Sequence, residues 1–87
     1  MAQMVYILYS LKDKKLYVGR TNELYKRLGQ HFGGLVKATK NRRPLEIIHK
    51  ESYKTASEAT RRERFLKSLW GGKVKKKILK DFLKSKH

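Results

Sequence analysis

Two short runs of β-forming residues, Val5-Tyr6-Ile7-Leu8-Tyr9 and Leu16-Tyr17-Val18-Gly19, flank the polar stretch Lys12-Asp13-Lys14-Lys15. This arrangement constrains the chain more than any other feature. β-branched and aromatic runs so close together satisfy their backbone groups most simply as an antiparallel hairpin. A two-residue turn at Asp13 and Lys14 places Tyr6, Leu8 and Ser10 on one face with Tyr17, Gly19 and Thr21. Both tyrosines then point the same way, whereas a three-residue loop would reverse the parity and part them.

The following segments read as helix, strand, helix and helix. Asn22 is a candidate cap for a helix from Glu23, in which Leu24, Leu28 and Phe32 repeat at i+4, Arg27 and His31 run beside them, and Gly33-Gly34 ends the pattern. A basic loop over residues 37–43 leads through Pro44 into a third strand, Leu45-Glu46-Ile47-Ile48-His49, ending near Tyr53. Thr55 with Glu58 forms a capping box for a helix that should run to about Trp70, where Gly71-Gly72 stops it. The last helix, about residues 73–84, sets Val74, Ile78 and Phe82 on one face and lysines around the rest. The expected fold is α/β in the α+β sense: a small three-stranded antiparallel sheet flanked by helices, in the order ββαβαα. With no internal repeat and no linker, residues 1–87 should make a single domain.

Charge narrows the function. Lys and Arg number 23 against seven Asp and Glu, a formal charge of +16, and self-repulsion of that size calls for a polyanionic partner, nucleic acid first. Hydrophobic residues at 39% are too many for a disordered basic tail. Without cysteine, disulfides, thiolate zinc sites and cysteine nucleophiles all drop out. The longest apolar run, residues 5–9, is too short for a membrane span or a signal-peptide core, so a cytoplasmic, soluble protein without membrane attachment is expected. No histidine pairing, nucleophile elbow or phosphate-cradling glycine motif is present.

One position conflicts with a purely structural pattern. In the Thr55-capped helix, Ala56, Ala59, Glu63, Leu66 and Trp70 follow the spacing of a core-facing stripe, and one of them is a carboxylate. A half-shielded Glu63 needs a partner. Lys67 at i+4 or a nearby Arg would serve as an ion pair, and so would a hard divalent cation, since Mg²⁺ often takes only one or two carboxylates. Arg62 also lies inside the apolar arc. Arg27 and His31 suit a phosphate oxygen and a proton transfer, or are simply surface residues. Tyr6 and Tyr17 are candidates for packing, and Tyr9, Tyr25 and Tyr53 are assigned to packing outright.

Taken together, Met4-Val5-Tyr6, Tyr17-Val18-Gly19-Arg20-Thr21-Asn22 with Leu24, Arg27-Leu28 and His31, then Ala38-Thr39, Arg42-Arg43-Pro44, Glu58-Ala59, Arg62-Glu63 and Leu66-Lys67 resemble the GIY-YIG nucleases, especially their short single-domain bacterial members. That domain is shared with the incision subunit of excision repair. Met4 replaces the first Gly of the motif and Val18 its Ile. The resemblance implies a divalent-metal-dependent endonuclease hydrolysing DNA phosphodiester bonds, with Tyr6 and Tyr17 at the active centre and one of them activating or positioning water. Arg27 would stabilise phosphate charge, His31 assist proton transfer, and Glu63 act as the lone protein ligand of one Mg²⁺ or Mn²⁺. Arg20 would approach the phosphate, and Lys37, Lys40, Arg42, Arg43 and Lys67 would hold the backbone of a nucleic acid, DNA ahead of RNA. A strongly positive surrounding field would lower the cost of a Tyr phenolate. A monomer or weak homodimer is expected. The alternatives are a non-catalytic RNA- or DNA-binding module of the same fold and a lysine-rich membrane-surface protein.

Overall fold

A computed structural model describes residues 2–85, leaving His87 outside the described residues. Three strands, β1 (Gln3–Ser10), β2 (Leu16–Thr21) and β3 (Leu45–Tyr53), and three helices, α1 (Leu24–Phe32), α2 (Ala56–Lys67) and α3 (Gly72–Ser85), follow the order ββαβαα. The sheet is antiparallel with β1 at its centre, in the order β2-β1-β3.

Residues 5–10 are all buried because β1 is covered on both faces. Val5 and Ile7 point with Val18 towards Ala59 and Leu66 of α2, with Val74 and Ile78 of α3 packed alongside. Tyr6 and Leu8 point the other way, towards Leu24 and Leu28 of α1 and towards Leu45. The result is a three-layer sandwich, and alternation along one strand divides the core in two. A β-bulge opposite Ile7 and Leu8 leaves Ile48 without a partner in the register, and Ile47 and Ile48 serve opposite layers.

The hairpin keeps the expected parity but shifts by two residues. Tyr6 faces Gly19 and Leu8 faces Tyr17, because the loop holds four residues, 11–14, rather than two. Ser10 closes it: its amide donates to the Lys15 carbonyl at 3.0 Å, and its Oγ accepts from the amides of Lys12 at 3.2 Å and Asp13 at 3.1 Å. Lys14 takes the left-handed φ of 61° that the last loop position requires.

Other expectations change at helix ends. Asn22 does not cap α1. Glu23 occupies the cap position with no side-chain bond, and Thr21 Oγ1 accepts the Glu23 amide at 3.0 Å. Phe32 is 45% exposed while His31 is buried, so the apolar side of α1 is Leu24, Leu28 and His31. Thr55 caps α2 as expected, accepting from the Glu58 amide at 3.2 Å. But α2 ends at Lys67, and Trp70 leaves the core stripe for solvent. Tyr25 is exposed rather than packed, with the Lys50 ammonium 5.9 Å from its ring centroid. Among the described residues no helix is long and apolar enough to cross a membrane.

Arg62, the second polar residue in the α2 arc, has its own partner. It donates from Nε and Nη2 to both oxygens of Glu51 on β3, at 2.9 and 3.0 Å. Burial alone would raise the Glu51 pKa, but hydrogen bonds from Arg62, His49 and Tyr53 bring it down to about 2. This planar, bidentate pair ties α2 to the sheet edge.

Candidate active site

The face of β1 and β2 that meets α1 gathers two phenols, an imidazole and a guanidinium. Tyr6 is 1% exposed and His31 is wholly buried. Tyr6 Oη lies 2.9 Å from His31 Nε2, and His31 Nδ1 lies 2.8 Å from Thr39 Oγ1. Tyr17 completes a cluster of three rings, its centroid 6.5 Å from that of Tyr6 and 5.2 Å from that of His31. Arg27, one turn before His31 on α1, comes within hydrogen-bonding reach of both phenols and donates to Gln30 Oε1 at 3.1 Å.

The electrostatics fix the protonation of this cluster. Burial, reinforced by the positive charge of Arg27, lowers the His31 pKa to about 4, so the imidazole is neutral at pH 7. Burial also raises the Tyr6 pKa, and the hydrogen bond from Arg27 offsets this only in part. The positive charge of Arg27 does lower the cost of a Tyr6 phenolate, as expected, but desolvation outweighs it. A neutral imidazole offers one donor and one acceptor. In the tautomer that accepts from Tyr6 at Nε2, the remaining Nδ1–H donates to Thr39 Oγ1.

His31 makes stability depend on pH. Unfolded, its imidazole titrates near 6.5; folded, it stays neutral down to about 4. Between those values the unfolded state binds the extra proton, so this contribution is complete above pH 6.5 and lost as pH falls towards 4. Urea unfolding at pH 7.5 and 4.5 should show a loss on the order of 2–3 kcal/mol, with the slope in this window much reduced in His31→Phe. Asp13 and Glu51, each held at about 2, lose their contributions mainly below it.

Gly19, opposite Tyr6, is what lets the Tyr6 ring lie across β2. A Cβ at this position would overlap the ring at Cζ and Oη. Gly19→Ala should therefore destabilise by about 1–3 kcal/mol in urea. Gly29→Ala, inside α1 with open space around it, should stabilise by roughly 0.5–1 kcal/mol.

Glu63, 19% exposed, approaches the cluster from α2 and acts on Tyr6 through space. Its Oε1 is 3.7 Å from Arg20 Nε and its Oε2 is 3.1 Å from Lys67 Nζ, so the ion-pair partner expected at i+4 is present. Among the described residues no three His, Asp or Glu group together as metal ligands. A lone carboxylate, with no thiolate near it, fits a hard cation that draws most of its ligands from water and phosphate.

A polar cleft of about 520 Å³, lined by residues that include Arg20, Asn22, Glu23, Lys26, Arg27 and Gln30, meets the cluster at Arg27. The matching model of the GIY-YIG catalytic domain covers residues 2–77. The chain belongs to the GIY-YIG family. The UPF0213 protein YazA of Bacillus subtilis is 46% identical over 59 residues, 67% of this chain and 60% of that one, so the match spans three-fifths of that relative. The UPF0213 protein of Natronomonas pharaonis is 37% identical over 78 residues, 88% of this chain and 89% of its own. The solution NMR structure of a UPF0213 protein from Bacillus halodurans superposes with a TM-score of 0.56 at 30% identity, covering 90% of this chain and 83% of that one.

In this GIY-YIG chain, Tyr6, Tyr17, Arg27 and His31 meet in one cluster, with Glu63, Arg20 and Lys67 at its edge. The basic loop is folded back rather than splayed. Arg42 donates to Asp13 Oδ2 of the β1–β2 loop at 2.7 Å, and Arg43 donates to the Lys40 carbonyl within its own loop at 3.1 Å. Lys37 and Lys40 are exposed. Thr39 and Gln30, which orient His31 and Arg27, went unassigned in the sequence. The only signal for Thr39 was its place in the family pattern, since a threonine in a basic loop gives no sign of burial.

Proposed function

We propose that this GIY-YIG chain is an endonuclease that hydrolyses DNA phosphodiester bonds. The observation that carries the reading is the cluster of Tyr6, Tyr17, His31 and Arg27, which opens through Arg27 on a polar cleft that Arg20 and Lys26 also line, with the Glu63 charge acting on Tyr6. Arg27 and Arg20 orient a phosphate from the cleft side and balance its charge. Tyr6 takes a proton from the attacking water as its own proton passes to His31 Nε2, and the bond to Thr39 holds the imidazole in the accepting tautomer. Glu63 would hold one Mg²⁺ or Mn²⁺, which when bound supplies Lewis-acid polarisation of the phosphoryl oxygen and neutralises charge on the leaving oxygen.

A second reading has one observation in its favour: both Glu63 oxygens are already engaged by Arg20 and Lys67, as a purely structural carboxylate would be. The chain would then bind nucleic acid without cutting it.

Cleavage of plasmid DNA in ¹⁸O-labelled water tests the chemistry. Direct hydrolysis places one labelled oxygen in each new terminal phosphate. Unlabelled ends, or a covalent phosphotyrosine adduct, would contradict it. An RNA substrate run in parallel distinguishes attack by the 2′-hydroxyl, which gives an unlabelled cyclic phosphate.

A further inference from the structure

Among the described residues, Leu69 and Trp70 are the most exposed large apolar side chains, at 97% and 83%. They do not sit on a loose loop. Ser68 closes α2, its amide and Oγ donating to the Phe65 carbonyl at 3.1 and 2.6 Å. The Gly71 amide returns to the Ser68 carbonyl at 3.2 Å and the Gly72 amide to that of Leu69 at 3.1 Å. Gly71 lies so close to the backbone of Phe65 and Leu66 that a Cβ there would collide with both. The α2–α3 turn is therefore fixed against the helix end, and it displays an indole that the core does not use. Ala59 and Leu66 already complete that layer, with Val74 and Ile78 of α3 packed on them.

The surroundings of the indole indicate its partner. Residues 64–80 contain Arg64, Lys67, Lys73, Lys75, Lys76, Lys77 and Lys80 and no acidic residue. A planar aromatic face amid cations is how proteins hold nucleic acid whose bases are accessible, with cations on the phosphates and a ring on the base. Lys67, which pairs with Glu63, stands three residues before Trp70 along the chain. Helix rise puts Lys67 about 6 Å from Glu63 along α2, and Trp70 follows just past the helix end.

We propose that Trp70 is a stacking subsite for a base of the nucleic-acid substrate, outside the Tyr6–Glu63 site, with Lys67 and Lys73 holding the flanking phosphates. This rests on the nucleic-acid reading above and adds a contact made to a base rather than to the backbone.

Trp70 is the sole tryptophan, so its emission reports on the site directly. The full chain is titrated in chelator with three probes: a thymidine oligonucleotide of roughly 12 nucleotides, within the usual site sizes, an abasic oligomer of equal length, and phosphatidylserine–phosphatidylcholine vesicles. The thymidine oligomer should quench Trp70, while the abasic oligomer binds more weakly and leaves emission unchanged. Trp70→Ala, checked for fold by far-UV circular dichroism, should weaken thymidine-oligomer binding by about 5- to 100-fold and leave abasic binding unaltered. Unchanged emission on thymidine-oligomer binding, equal affinity in Trp70→Ala, or a response to vesicles alone would overturn the proposal. The nuclease reading fails separately. DNA cleavage by a Trp70→Ala chain of undiminished affinity removes the stacking role alone, whereas quenching and affinity loss in a chain that cuts nothing remove only the nuclease.

Discussion

Glu63→Gln should lower the single-turnover rate of DNA cleavage by about 10²- to 10³-fold and leave affinity for the same DNA, measured in chelator, undiminished. Glutamine preserves the shape of the side chain and removes its charge. Glu63 is the carboxylate that acts on Tyr6, so cleavage loses its candidate cation ligand. Binding should hold or tighten, because Arg20 and Lys67 are released from their ion pairs and become available to phosphates. The same release makes the result decisive between the two readings. A chain that binds without cutting predicts no cleavage by wild type or Glu63→Gln, and a structural Glu63 in a chain that does cut predicts a rate indifferent to the change or one that falls only with the fold.

Tyr6→Phe should cost about 10²- to 10⁴-fold in rate, the range for a positioned acid–base group. The substitution removes one oxygen from a ring that is otherwise fully packed. Its stability cost should stay within about 1–3 kcal/mol, set by His31 Nε2, which loses its 2.9 Å partner inside the protein. A structural tyrosine would show that stability loss with the rate intact. Cleavage under conditions in which urea unfolding finds the variant fully folded separates the two.

The sequence carried the fold well where local rules decide it. Alternation along Tyr6, Leu8, Tyr17 and Gly19 placed both tyrosines on one face even though the loop was four residues rather than two, because a shift of two preserves parity. The Thr55–Glu58 capping box marked the start of α2. What sequence could not supply was tertiary compensation. Spacing could not tell that Arg62 belongs to Glu51 on another element, that Ser68 would stop α2 short of Trp70, or that His31 rather than Phe32 would take the buried position. Of the site, residue types and order were legible through the family pattern. The balance of burial against positive charge on Tyr6 was not, since desolvation depends on neighbours distant in sequence.

The most direct test of a metal-dependent hydrolytic site is single-turnover cleavage of one end-labelled DNA by the wild-type chain, at a protein concentration that binds all of it, in Mg²⁺ and in chelator. The expected result is cleavage that requires Mg²⁺ and stops on chelation while the DNA stays bound. DNA that is fully bound yet uncut in Mg²⁺ and in Mn²⁺, or cut equally well in chelator, would contradict it.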